Sequence, residues 1–104
     1  MRKIVDINTG WHEKIIFKQN DNDDILEIKI QKDRKEISLS GYNTTAYLKL
    51  VNGQVIKRKC SIESNAVRIE MKDLLKDKGV MGLEIIFTKD NKRVTTFLID
   101  INIK

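Results

Sequence analysis

Asp24-Ile-Leu-Glu-Ile-Lys-Ile-Gln31 settles the architecture, because from Leu26 onward it alternates without a fault. Leu26, Ile28 and Ile30 point to one side of an extended chain, and Glu27, Lys29 and Gln31 to the other, which is the period of a strand with one buried face. The same period recurs on both sides of it. Leu83, Ile85 and Phe87 share a face, as do Ala46, Leu48 and Leu50, and Phe97, Ile99, Ile101 and Ile103. Shorter runs repeat it at Ile15 and Phe17, Ile37 and Leu39, and Val67, Ile69 and Met71. In the stretch from Gln54 to Ile62, the shared face holds Ile56, Arg58, Cys60 and Ile62. An arginine among apolar residues marks an edge strand or a bulge. Leu26, Ile28, Ile30, Leu48, Leu83, Ile85, Phe87, Phe97 and Ile99 are therefore expected in one core between two antiparallel sheets.

Turn chemistry separates these runs. Asn52-Gly53 tolerates the positive φ of a type I′ hairpin turn, and Asp90-Asn91 and Ser64-Asn65 divide strands in the same way. Leu74 and Leu75 give Lys72 to Lys78 the apolar face of one short helix, which Gly79 would end in a left-handed conformation. About eight short strands with turns roughly every ten residues predict an all-β sandwich or barrel.

The chain of 104 residues fits one domain, residues 1–104. Cys60, the single cysteine, allows no internal disulfide and fits folding in the cytoplasm. The N-terminus MRKIVDINTG lacks the apolar core of a signal peptide, and no run is long enough for membrane insertion. The net charge of +5 comes from twenty basic residues, only five of them arginine, with acidic residues interspersed as in Asp33-Arg34-Lys35-Glu36. Together with abundant isoleucine and asparagine, this is the coding bias of an AT-rich genome, and it makes no one-sign stripe. In Lys57-Arg58-Lys59 alternation turns Arg58 away from its neighbours. Trp11, Tyr42 and Tyr47, the aromatics not committed to the core, lack the spacing of a base-stacking platform. No nucleic acid is expected as a partner.

Catalysis needs a nucleophile, a base and an orienting group within reach of one another. His12 is the only histidine and reads as an exposed strand residue; Cys60 has no signature of a reactive thiol. Asp21-Asn22-Asp23-Asp24 lacks the glycine and distant glutamate of a calcium-binding hand and reads as a solvated loop. The five glycines are dispersed, leaving no phosphate loop. The expectation is a protein that is not an enzyme and uses no cofactor or metal.

Glu36-Ile-Ser-Leu-Ser-Gly-Tyr42, followed by Ala46-Tyr-Leu-Lys-Leu-Val-Asn-Gly53, resembles the N-terminal domain of the baseplate upper proteins of tailed phages of Gram-positive bacteria. The likeness continues through an Ala66-Val67 strand, the Leu74-Leu75 turn, Gly79, Leu83-Glu-Ile85 and a last hairpin through Arg93-Val-Thr-Thr-Phe97. Each motif is ordinary strand chemistry; their order and spacing over nearly the whole chain carry the resemblance. It implies an immunoglobulin-like antiparallel sandwich in a phage or prophage tail baseplate, attaching host-binding, receptor-binding tail components to the central ring. It further implies that the chain is the N-terminal part of a longer virion protein, with other tail proteins as partners and a homotrimer formed by a region beyond these residues. The rival is a carbohydrate-binding or adhesin-like module at a cell surface, which would display several aromatics on one face.

The N-terminal segment Arg2 to Trp11 is richer in apolar residues than a free tail. Ile4 and Ile7 either complete a sheet edge in the core or, with Trp11, form a contact to a partner, tryptophan being favoured where interface energy concentrates. Arg2, Ile4, Ile7, Trp11 and Tyr47 are the candidate interface residues.

Overall fold

Alternation along the chain becomes burial across two sheets. The computed structural model describes residues 2–20, 25–90, 92–95 and 98–104, residues 94 and 95 by backbone alone. Its strands are β1 (Arg2–Asp6), β2 (Ile15–Phe17), β3 (Ile25–Lys32), β4 (Lys35–Glu36), β5 (Asn43–Lys49), β6 (Val55–Lys59), β7 (Ser61–Glu63), β8 (Ala66–Glu70), β9 (Gly79–Lys89), β10 (Lys92–Thr95) and β11 (Ile99–Ile103). One sheet runs β1-β3-β8-β7, with β4 beside the end of β3. The other runs β2-β11-β9-β5-β6, with β10 taking the half of β9 that β11 leaves free. The result is a two-sheet sandwich, with β1 and β2 each at one edge of its own sheet.

The inner faces supply the core expected from the alternation. Leu26, Ile28, Ile30, Leu48, Leu83, Ile85, Phe87 and Ile99 are all buried, joined by Val5, Ile15, Met71, Leu75, Met81 and Ile101. Each such side chain contributes about 1.5–3 kcal/mol relative to full exposure. Phe97 lies outside the described residues, as do Asp21, Asn22, Asp23, Asp24 and Asn91.

Four expectations need correction. The sheets are not wholly antiparallel: β1 lies parallel to β3, and β2 parallel to β11. The chain leaves β1 for the opposite sheet before returning as β3, and that long excursion lets two neighbours run the same way. The strands also outnumber the eight expected, because edge segments are short and split between sheets. Lys72 to Lys78 is not a helix. Asp73 takes φ 63°, which breaks a right-handed helix at its second residue. Leu74 and Leu75 are both buried, and Leu75 and Lys76 carbonyls accept from Asn20 N–H (2.7 Å) and Gln19 Nε2 (2.8 Å). The segment is an irregular plug over the end of the sandwich.

Lastly, Asn52-Gly53 is not a type I′ turn. Gly53 has φ 90° while Asn52 stays at negative φ, and Gly53 N–H donates to Leu50 O at 2.9 Å. This is a three-residue loop, Val51 to Gly53, closing on a left-handed glycine. Positive φ at both turn residues occurs instead at Asp33 (53°) and Arg34 (64°), between β3 and β4.

Arg58 does mark an edge. β6 is the last strand of its sheet and β7 the last of the other, with the chain crossing between them at Cys60. Ile56, Cys60 and Ile62 pack against the core from this crossing strand. Arg58 reaches out to donate from Nη2 to Lys72 O at 3.2 Å.

Candidate protein-docking surfaces

The N-terminal edge is built around one buried carboxylate. Asp6 Oδ1 accepts from the N–H groups of Asn8 (3.0 Å), Thr9 (3.2 Å) and Asp33 (3.3 Å), and Oδ2 from that of Arg34 (2.6 Å). It thus ties the turn after β1 to the β3–β4 hairpin, reinforced by Asn8 Nδ2 donating to Asp33 Oδ2 at 3.0 Å. Burial pushes the Asp6 carboxyl up, but the backbone donors of Arg34, Thr9, Asn8 and Asp33 together outweigh it and hold the pKa below the ordinary 3.8. The outer edge of β1 is covered by the chain itself. Val5 pairs with His12, Asp6 N–H donates to Trp11 O (2.8 Å), and Glu13 N–H donates to Ile4 O (3.2 Å). No bare template for strand addition remains from Ile4 to Asp6.

The sequence candidates do not form one surface. Ile4 and Trp11 line a cleft of about 420 Å³ with Asp6, Thr9, Gln31 and Arg34, and Trp11 is 51% exposed there. Arg2 sits on β1 with its guanidinium 2.7 Å from Glu27. Ile7 is half-buried and lines a different, apolar cleft with Ile30, Ile37, Leu39, Tyr42 and Phe87. Val5, rather than Ile4 or Ile7, enters the core fully. Tyr47 is on the outer face of the opposite sheet, between Lys57 and Glu84. Tyr42 meets Phe87 edge-on at 6.1 Å with Lys89 Nζ 5.0 Å from its ring centre. Trp11, Tyr42 and Tyr47 therefore occupy three separate places.

The two outer faces differ in chemistry. On the β1-β3-β8-β7 sheet, Glu27 bridges Arg2 and Arg68 (3.9 Å to Nε), Arg68 reaches Glu63 (3.3 Å), and Lys29 pairs with Glu36 (3.5 Å). On that face Arg2, Lys29 and Arg68 each have a carboxylate partner. The opposite face carries apolar residues at positions that alternation reserves for polar ones. Asn102 pairs with both Ile16 and Val80, placing these two on either side of it, 40% and 55% exposed. Two residues along β9, Gly82 leaves room for Leu98, whose Cδ1 would lie 3.6 Å from a Cβ added there. Leu98 is 65% exposed. Ile16, Val80 and Leu98 were not among the sequence candidates. The available signal was an apolar residue out of phase, as in Ile15-Ile16-Phe17 and Val80-Met81. Toward β6 this face becomes basic, with Lys49, Lys57 and Lys59 around Tyr47 and Thr45.

His12 Nδ1 lies 3.4 Å from Glu13 O. Burial pushes the Cys60 thiol up to about 11, against the opposing influence of the Ala46 N–H, so it stays protonated and a poor nucleophile at neutral pH. Among the described residues no three His, Cys, Asp or Glu side chains converge as a metal site, and no helix is long and apolar enough to cross a membrane.

No protein-family model and no curated protein sequence matches the chain. Its fold does match a solved structure described as the N-terminal domain of phage TP901-1 ORF48. The TM-score is 0.77 at 10% identity, over 99% of this chain and 96% of that one. At that identity the agreement establishes a shared fold.

Proposed function

We propose that this chain is a structural docking domain of a phage or prophage tail baseplate, attaching host-binding tail components to the central ring by protein contact alone. The observation that carries the reading is the near-complete overlap in fold with an N-terminal domain encoded by a phage. The order of short motifs from Glu36 to Phe97 points the same way, since it resembles the baseplate upper proteins. The surfaces agree with a docking role. An exposed tryptophan beside a cleft and an apolar patch around Val80 and Leu98 are features of interfaces more than of inert surface. The domain would fold in the bacterial cytoplasm and act in the virion, with any threefold association made by other parts of the assembly.

The test is titration of the central baseplate ring protein, encoded near this gene, against the folded domain, its Trp11→Ala variant and its Val80→Asp variant. A stable complex with the wild type, weakened by one of the two variants, is expected. Removing residues 1–8 is unsuitable as a control because it takes away Val5 from the core and the Asp6 carboxylate. Absence of any complex with the ring protein or other tail proteins of the same genome would refute the proposal.

A further inference from the structure

We infer that the outer edge of β6 takes up an extended, acidic segment of a partner protein, which adds to the sheet as a further strand and lays alternate carboxylates over Lys57 and Lys59. The inference deepens the docking reading and rests on it. β6 ends its sheet, and nothing in the described chain pairs beyond it. Its register fixes which backbone groups face out. Leu50 N–H donates to Gln54 O at 2.8 Å, so Leu50 and Gln54 form a hydrogen-bonded pair of the β5–β6 ladder. Such pairs alternate, which assigns Leu48–Ile56 and Ala46–Arg58 to the bonded set. Val55, Lys57 and Lys59 belong to the other set, and their N–H and C=O groups point away from β5. A partner strand would meet them directly.

The side chains select the partner's chemistry. Val55, Lys57 and Lys59 face solvent on one side of the strand, with Val55 63% exposed. Lys57 and Lys59 are two residues apart, about 7 Å along a strand, the spacing of alternate residues on an incoming one. Lys49 lies across from Val55 on the same face. Among the described residues these three lysines have no ion-pair partner, whereas Arg2, Lys3, Lys29 and Arg68 are all paired. The nearest facing carboxylate in register is Glu84, one strand further in, across Tyr47.

A second feature adjoins the edge. Where the chain leaves β6 at Cys60, a cleft of about 410 Å³ opens between Lys57, Lys59, Thr45, Thr44, Tyr42 and Ile62. Thr44 is only 7% exposed, and its Oγ1 is buried with no hydrogen-bond partner. Buried hydroxyls are ordinarily satisfied, and a side chain entering this cleft would supply the missing partner. Edge lysines also serve simply to discourage aggregation. That role needs charge of either sign, while the proposed one needs positive charge, and the experiment divides them.

The probes are two synthetic peptides of alternating threonine with glutamate or with lysine, titrated into the labelled domain and followed by amide chemical shifts. The glutamate peptide is expected to shift residues 55–59 and 43–45, and the lysine peptide to leave them unmoved. Lys57→Glu/Lys59→Glu should stay monodisperse, lose about tenfold in affinity for the glutamate peptide and gain affinity for the lysine peptide. Shifts that are absent at millimolar peptide, lie elsewhere, or are indifferent to the double reversal overturn the inference. If the central ring protein binds wild type and double variant alike, the edge assignment falls while docking stands. If the peptide maps to β6 but no tail protein binds, the baseplate reading falls alone.

Discussion

Gly79 opens β9 at φ 138°, a conformation that side chains with a Cβ avoid, and it faces Val51 closely. A Cβ added there would lie 2.9 Å from Val51 Cγ1 and 3.4 Å from Cγ2. Gly79→Ala therefore meets two separate costs. Holding alanine in a glycine-only backbone region costs about 1–3 kcal/mol. Clearing the contact forces Val51 off its rotamer, at about 0.5–1.5 kcal/mol, a moderate figure because Val51 is partly exposed and can move. The sum is a loss of about 1.5–4.5 kcal/mol. Val51→Ala alone, at an exposed loop, should change stability by about 0.5 kcal/mol or less. In the double variant the contact term vanishes and the backbone term stays, so the mutations should couple by about 0.5–1.5 kcal/mol in the compensating direction. Urea denaturation followed by far-ultraviolet circular dichroism measures all four corners of the cycle. A Gly79→Ala variant as stable as the wild type would remove the backbone argument. Strict additivity with Val51→Ala would remove the contact.

Three further outcomes are expected. Phe87→Ala, which empties a core position at the edge of the Tyr42 ring, should cost about 3–5 kcal/mol in the same denaturation assay. For Asp6, a lowered pKa means that the carboxylate's stabilisation is complete above the ordinary value of 3.8 and fades as the pH falls through the folded-state value. The stability gap between wild type and Asp6→Asn should accordingly be widest near neutral pH and close in acid, and a gap that widens on acidification contradicts the four-donor arrangement. Binding to random duplex or single-stranded DNA should be weak and abolished by moderate salt; sub-micromolar affinity at physiological ionic strength would reassign the basic edge.

The strands with one wet face were legible because their burial repeats every second residue: β3, β5, β9 and β11 follow directly from Leu26, Leu48, Leu83 and Ile99. Arg58 betrayed the crossing strand for the same reason, breaking an otherwise apolar row. What stayed hidden depends on distant partners. Asp33-Arg34 lacks the glycine or asparagine that advertises a type I′ turn, and it is held there by Asp6, a residue far away in sequence whose carboxylate receives both N–H groups. The pair Leu74-Leu75 looked helical locally, but both side chains enter the core from an irregular segment, fixed by acceptors for Gln19 and Asn20. The candidate interface was legible only as single exposed residues. Which of them share a face depends on sheet order, and that order separated Tyr47 from Trp11 and set Ile16 and Val80 on either side of Asn102.

The placement of β11 between β2 and β9 has a mechanical consequence. Ile101, Asn102 and Ile103 pair on both sides, parallel to β2 and antiparallel to β9, and Lys104 N–H donates to Phe17 O at 2.9 Å. A pull on residue 104 along the strand would load these ladders in shear, where the bonds lie across the direction of force and must yield together. They could not open one after another like a zip. A domain strained through that end would resist as a clamp, passing tension into β9, the longest strand, and through β5 into the far edge at β6.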